Sequence, residues 1–153
     1  MKYLKPKIVF QEVPDETALV FPISGCPRQC PGCHSPDLQS QETGALLTSQ
    51  IYQDYLTRYQ EFVTCICFFG GDQEAATLVP FLRLARQHKL KTCLYTGACL
   101  VPPEIHQELD YLKTGPWIAS LGGLDSPGTN QKFVDLLTGK VLNHRFWNHH
   151  ATK

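Results

Sequence analysis

The sequence has no charge surplus: fourteen Lys and Arg balance fourteen Asp and Glu over 153 residues. Without a basic excess it lacks the electrostatic footprint of a nucleic-acid binder, so a polypeptide or small-molecule partner is expected and no nucleic acid. No apolar run approaches the roughly 20 residues that span a bilayer, so no membrane is expected as partner either. The basic start, Met1 to Lys7, leads into no apolar core of signal-peptide length, and the expectation is a soluble, cytoplasmic protein. Internal repeats and low-complexity linkers are also missing. With this length, that points to a single domain over 1–153 with a real hydrophobic core. An even set of cysteines is lacking as well. Seven thiols cannot pair completely, and in a reducing compartment such a count reads as metal or redox chemistry plus some buried thiols.

What the sequence does have is a dense cysteine loop. Gly25-Cys26-Pro27-Arg28-Gln29-Cys30-Pro31-Gly32-Cys33-His34 places three cysteines at C-x3-C-x2-C spacing, directly after the apolar run Ala18 to Ser24. Pro27, Pro31 and Gly32 prevent regular structure through the loop. Three thiolates on one tight loop can hold three irons of a four-iron cubane. The fourth iron then has no ligand from this loop. The competing reading is a zinc knuckle, with His34 or a distant cysteine as fourth ligand. Zinc sites usually add a second C-x2-C or an H-x3-5-H pair; the sequence shows no second C-x2-C, and its H-x4-H spacing, His144 to His149, falls in the polar tail.

The remaining chain alternates strands and helices. Lys7 to Val13 reads as a first strand, Pro14 to Glu16 as a turn and Ala18 to Ser24 as the strand that delivers the loop. Residues 35–47 read as a connection. Thr48 or Ser49 can cap a helix whose face carries Ile51, Tyr52, Tyr55, Leu56 and Tyr59. Phe62 to Phe69 is a continuous apolar run, as in a strand buried on both faces, and ends in Gly70-Gly71-Asp72. A helix over 74–88 buries Ala75, Leu78, Leu82 and Ala85, with Pro80 beginning or kinking it. Lys91 to Thr96 is a third core strand, closed by Gly97. Pro102-Pro103-Glu104 starts a short helix with Ile105, Leu109 and Leu112 inward, and 110–114 reads as a further strand. Residues 122–131 read as a loop. Phe133, Val134, Leu136 and Leu137 suit a last short element, and 144–153 a frayed polar tail.

This alternation argues an α/β fold with a parallel sheet and crossover helices. The chain is too short for a complete eightfold barrel, which takes at least ~200 residues; a partial, open parallel barrel is expected. Ligands gather at the carboxyl ends of such strands. The cysteine loop, the Gly70-Gly71-Asp72 turn and Thr96-Gly97 should therefore share one rim.

With these motifs in view, the chain resembles the radical S-adenosylmethionine enzymes, and within them the activating proteins of anaerobic ribonucleoside-triphosphate reductases. The matching stretches are Ile23-Ser24-Gly25-Cys26, Cys30-Pro31-Gly32-Cys33, Phe69-Gly70-Gly71-Asp72, Leu94-Tyr95-Thr96-Gly97 and Thr129-Asn130-Gln131-Lys132. They cover nearly the whole chain. Val13-Pro14-Asp15-Glu16 departs from the Gly-Pro-Gly and Arg of many relatives, and His34-Ser35-Pro36 from their Tyr-Asn.

The resemblance implies that Cys26, Cys30 and Cys33 ligate a [4Fe-4S] cluster whose open iron binds the amino and carboxylate groups of S-adenosylmethionine. Reductive cleavage would then give methionine and a 5′-deoxyadenosyl radical, which would abstract hydrogen from a backbone glycine of the reductase. The resemblance further implies that Gly70 and Gly71 approach the methionine amino group through backbone, as residues without side chains can. Gly32, Cys33 and His34 would face the cofactor, His34 in place of an aromatic cover for the adenine. Asp72 reads either as a turn residue or, on electrostatic grounds, as a carboxylate near the sulfonium. The implied partners are the glycyl-radical subunit of the reductase and a reducing electron donor such as flavodoxin. Two other readings remain. One keeps the chemistry but moves the target to another glycyl-radical enzyme or a small molecule. The other is a non-catalytic iron–sulfur or zinc module. Cys65, Cys67, Cys93 and Cys99 fall in or beside core strands and read as small hydrophobes. Trp117 and Trp147 read as packing residues, and His149-His150 as a solvated end.

Overall fold

Thr48 caps the first long helix as its residue type predicts: its Oγ1 accepts a hydrogen bond from the Ile51 amide at 3.2 Å. In the computed structural model, which describes residues 1–147, the elements are β1 (Lys2–Tyr3), β2 (Lys7–Val9), β3 (Ala18–Pro22), β4 (Ala45–Leu46), α1 (Ser49–Tyr59), β5 (Cys65–Phe69), α2 (Ala75–Gln87), β6 (Lys91–Tyr95), α3 (Pro103–His106), β7 (Tyr111–Thr114), β8 (Lys132–Asp135) and β9 (Lys140–Val141). The strands are shorter than the apolar runs that mark them: the run over 62–69 forms a strand only from Cys65, because residues 60–64 turn out of α1. The connection over 35–47 contains a 3-10 turn, Pro36–Leu38, and β4, which pairs with β1. α2 starts five residues before Pro80 and runs through it. Leu112 belongs to β7 rather than to α3, so only Ile105 and Leu109 bury from the short helix and its exit.

Among the described residues, seven strands form one sheet in the order β2-β3-β5-β6-β7-β8-β9. The central pairs β3–β5, β5–β6 and β6–β7 are parallel, and β2–β3, β7–β8 and β8–β9 antiparallel. The protein is thus mixed α/β with a sheet that is parallel at its centre. Successive parallel strands are neighbours, with α1 and α2 in the first two crossovers, as crossover connections require.

Because side chains alternate along a strand, the two faces carry different cores. Leu19, Phe21, Ile66, Phe68 and Leu94 pack with Tyr52, Leu56, Leu78, Phe81 and Leu82 of the helices. Phe68 and Phe81 stack 6.4 Å apart. Burying each such side chain contributes about 1.5–3 kcal/mol. The other face carries smaller groups, Ala18, Val20, Cys65, Cys67 and Cys93, with Tyr111, and is covered by Val13, Leu124 and Phe133. Burial pushes the Cys65 and Cys93 thiols well up. Cys99, by contrast, is exposed on the loop after β6.

At the amino ends of the parallel strands, Glu16 is buried and accepts hydrogen bonds from Lys91 Nζ and Tyr111 Oη. This joins the approach to β3 with the first residues of β6 and β7. The segment from His144 begins inside a 3-10 turn, Asn143–Phe146, whose Phe146 ring lies 5.1 Å from Phe133. His149 and His150 lie outside the described residues. Among the described residues no helix is long and apolar enough to cross a membrane.

Candidate iron–sulfur site

The cysteine loop leaves β3 through Ser24, whose hydroxyl donates to the Thr43 carbonyl at 2.7 Å. Its start is pinned to the returning chain: the Gly25 amide donates to Ser40 O at 3.1 Å and the Cys26 amide to Leu38 O at 2.8 Å. Within it, Cys30-Pro31-Gly32-Cys33 closes a tight turn through Cys33 N–H to Cys30 O at 3.2 Å. Pro at the second position and Gly at the third, with φ +67°, are the residues a type II turn demands. Cys33 Sγ accepts from the Ser35 amide at 3.4 Å.

Cys26, Cys30 and Cys33, each partly exposed, line a cavity of about 1150 Å³. Gly70 and Asp72 after β5, Thr96 and Gly97 after β6, and Lys113 at the end of β7 line it too, so the turns expected on one rim do share it. His34 faces the cavity as well. Gly32 and Gly71 do not line it. Gly71 backs onto Ile23 and Met1, whose side chains lie 3.6 Å from where a Cβ would stand. Gly70 combines φ +86° with a would-be Cβ 3.4 Å from Ile23 O, so a side chain there would be strained as well as crowded.

Three cavity residues escaped the sequence reading. Lys113 is one; burial pulls its ammonium down to about 8, against the attraction of Cys30 and Cys33. Its Nζ donates to Gly115 O at 2.9 Å. Period-2 alternation from buried Tyr111 would have turned Lys113 to the same face. Arg28 is the second: its Cδ lies 2.5 Å from where a Gly97 Cβ would stand, so a side chain at 97 would displace it. Trp117 is the third. Its ring centroid lies 3.9 Å from that of His34, and its buried Nε1 has no hydrogen-bond partner among the described residues. Trp147 also borders the cavity. No local sequence signal distinguishes either tryptophan from a packing residue.

Among the described residues, no three His, Cys, Asp or Glu side chains converge on a single-ion site. A tetrahedral zinc needs its thiolates about 2.3 Å from one point. A cubane instead takes each thiolate on a separate iron, and Cys26, Cys30 and Cys33 all line the one cavity. An orphaned indole N–H and a buried ammonium on the same wall suit an anionic, sulfur-rich group.

No curated protein and no solved structure matches the chain. Residues 17–117 match a family model, and that stretch runs from the approach to β3, through the cysteine loop and the glycine turn, to Trp117. The chain therefore belongs to the family of 4Fe-4S single cluster domains.

Proposed function

We propose that this iron–sulfur protein is a radical S-adenosylmethionine activating enzyme that generates a glycyl radical on an anaerobic ribonucleoside-triphosphate reductase. The observation that carries the reading is that Cys26, Cys30 and Cys33 face one cavity together with the backbone turn at Gly70. Three thiolates satisfy three irons of a cubane and leave the fourth without a ligand from the loop. The sequential order of the parallel strands, with the cavity at their carboxyl ends, supports the expectation of a partial, open barrel.

Cys26, Cys30 and Cys33 would hold the cluster, and the chemistry it would supply there is one-electron reductive cleavage of the sulfonium of S-adenosylmethionine. The chain's own residues orient and shield. Gly70 offers backbone at van der Waals distance because it has no Cβ, and its φ keeps that position closed to other residues. Lys113 brings a buried amino group to the wall that carries Cys30 and Cys33. His34, packed at 45° against Trp117, presents an aromatic wall. Asp72 adds a carboxylate that favours a sulfonium over a neutral thioether. Phe10, 73% exposed, borders the cavity, where a glycine-bearing loop of the reductase would enter. The electron donor would be a low-potential protein such as flavodoxin.

The test is anaerobic reconstitution with iron and sulfide, followed by dithionite and S-adenosylmethionine. The expected result is 5′-deoxyadenosine, with a glycyl radical signal once the reductase is added. Tight co-purification of zinc with no 5′-deoxyadenosine would overturn the reading. Formation of 5′-deoxyadenosine without a radical on the reductase would move the target, not the chemistry.

A further inference from the structure

Tryptophan carries a single polar group, an N–H that can only donate. At Trp117 that group is buried and unpartnered among the described residues, which is destabilising wherever no acceptor exists. Its position is specific. Nε1 lies 3.7 Å from where a Cβ on Gly32 would stand, in the two-residue link between Cys30 and Cys33. Gly32, needed for the turn, thus lies beside the indole edge. Two contacts hold the ring there. The His34 imidazole packs on it, 3.9 Å between centroids at 45°. Asn130 Nδ2 donates to the Pro116 carbonyl at 3.0 Å, with Gln131 Nε2 donating to the same oxygen at 3.4 Å, and this fixes the backbone that carries Trp117. Unlike the Tyr52 hydroxyl in the core, this donor belongs to a residue that lines the cavity and has no acceptor among the described residues, so it suits a group bound there.

We propose that Trp117 is a positioning residue that tunes the cluster: its Nε1–H donates to a sulfur of the group held by Cys30 and Cys33, with His34 holding the indole in place. This rests on the reading of the loop as a four-iron cluster site. The acceptor would be a thiolate or a cluster sulfide, both electron-rich sulfurs. Such a bond favours the state with more negative charge, the reduced one, and hydrogen bonds to sulfur are among the factors that set cluster potentials. Trp117 should therefore raise the reduction potential. Nothing in this needs S-adenosylmethionine or the reductase.

The test compares midpoint potentials of reconstituted wild-type protein and Trp117→Phe, by anaerobic redox titration followed by electron paramagnetic resonance. The expected result is a more negative potential in Trp117→Phe at equal iron and sulfide content, with Trp147→Phe unchanged. Benzothienylalanine at position 117, which keeps the bicyclic shape and replaces N–H by sulfur, should reproduce the shift. It also serves if Trp117→Phe assembles no cluster. An unchanged potential in the benzothienylalanine protein overturns the hydrogen bond even where Trp117→Phe shifts, because ring packing would then explain that shift. A wild-type chain that assembles no four-iron cluster overturns the parent reading as well. A wild-type cluster with an unshifted variant overturns this inference alone.

Discussion

Cys30 takes no part in either apolar cluster and instead lines the cavity beside Cys26 and Cys33. Its value to the protein is therefore separable from the fold. Cys30→Ser should lower iron retention by more than the roughly 10–100-fold that outer-shell changes typically cost. It should move unfolding free energy by no more than about 0.5 kcal/mol, as for a surface substitution. Iron and sulfide analysis with a urea melt of the iron-free protein measures both, and full iron content in the variant would refute the ligand assignment. The three cysteines, Gly32 and Gly70 were legible because tight loops impose residue types at set spacings. Lys113 and Trp117 were not. They reach the cavity from the far end of β7, more than seventy residues from the cysteine loop, and only the sheet brings them there.

Among the helices, α1 shows a local conflict inside a good element. Its cap and apolar face follow the sequence pattern, yet it buries Tyr52 completely, against Phe21, Phe68 and Phe81. The Tyr52 hydroxyl finds no hydrogen-bond partner among the described residues, and burial pushes its ionisation well above the ordinary tyrosine range. Tyr52→Phe removes an unsatisfied polar group from an otherwise apolar contact, so it should stabilise the protein by about 1 kcal/mol, a rise of roughly 2–4 °C in Tm. A calorimetric melt that shows a clear loss would mean that the hydroxyl has a partner. Helical spacing put Tyr52 on the inner face, but it says nothing about whether the face holds an acceptor. In α2 the sequence left Pro80 either starting the helix or kinking it. Buried Leu78, Val79, Phe81 and Leu82 on either side carry the helix through it, with packing offsetting the lost backbone bond.

Across the molecule, the sheet separates two tasks. Its carboxyl ends form the cavity, and its amino ends are tied by Glu16, Lys91 and Tyr111. Burial alone would raise Glu16, but hydrogen bonds from Lys91, Thr64 and Tyr111 outweigh it and hold the carboxyl below its ordinary 4.5. A carboxylate lowered in the folded state stabilises above its unfolded value and loses that contribution as pH falls through the folded one. Stability should accordingly decline as pH drops below 4.5, and part of that decline should vanish in Glu16→Gln, which starts less stable at neutral pH. Urea unfolding from pH 3 to pH 7 checks this, and parallel curves for the two proteins would sink it. Burial pushes Tyr111 up to about 12, and hydrogen bonding to Glu16 raises Lys91. Both groups therefore favour the fold at moderate pH and weaken it as pH rises past 10.

The three-thiolate spacing, the glycine turn and the strand–helix alternation could be read from the chain because each depends on neighbours within a few residues: backbone sterics, turn chemistry and side-chain periodicity. The antiparallel β8 and β9, the pairing of β1 with β4, and the assembly of the cavity wall from residues 28, 113 and 117 depend on contacts between distant segments. Their partners are chosen by packing rather than by local preference. The Trp117 indole shows the difference. In the sequence it is one of two tryptophans with nothing to mark it. In the folded chain it is a buried donor over Gly32 with no acceptor from the described protein, which is a property of its surroundings.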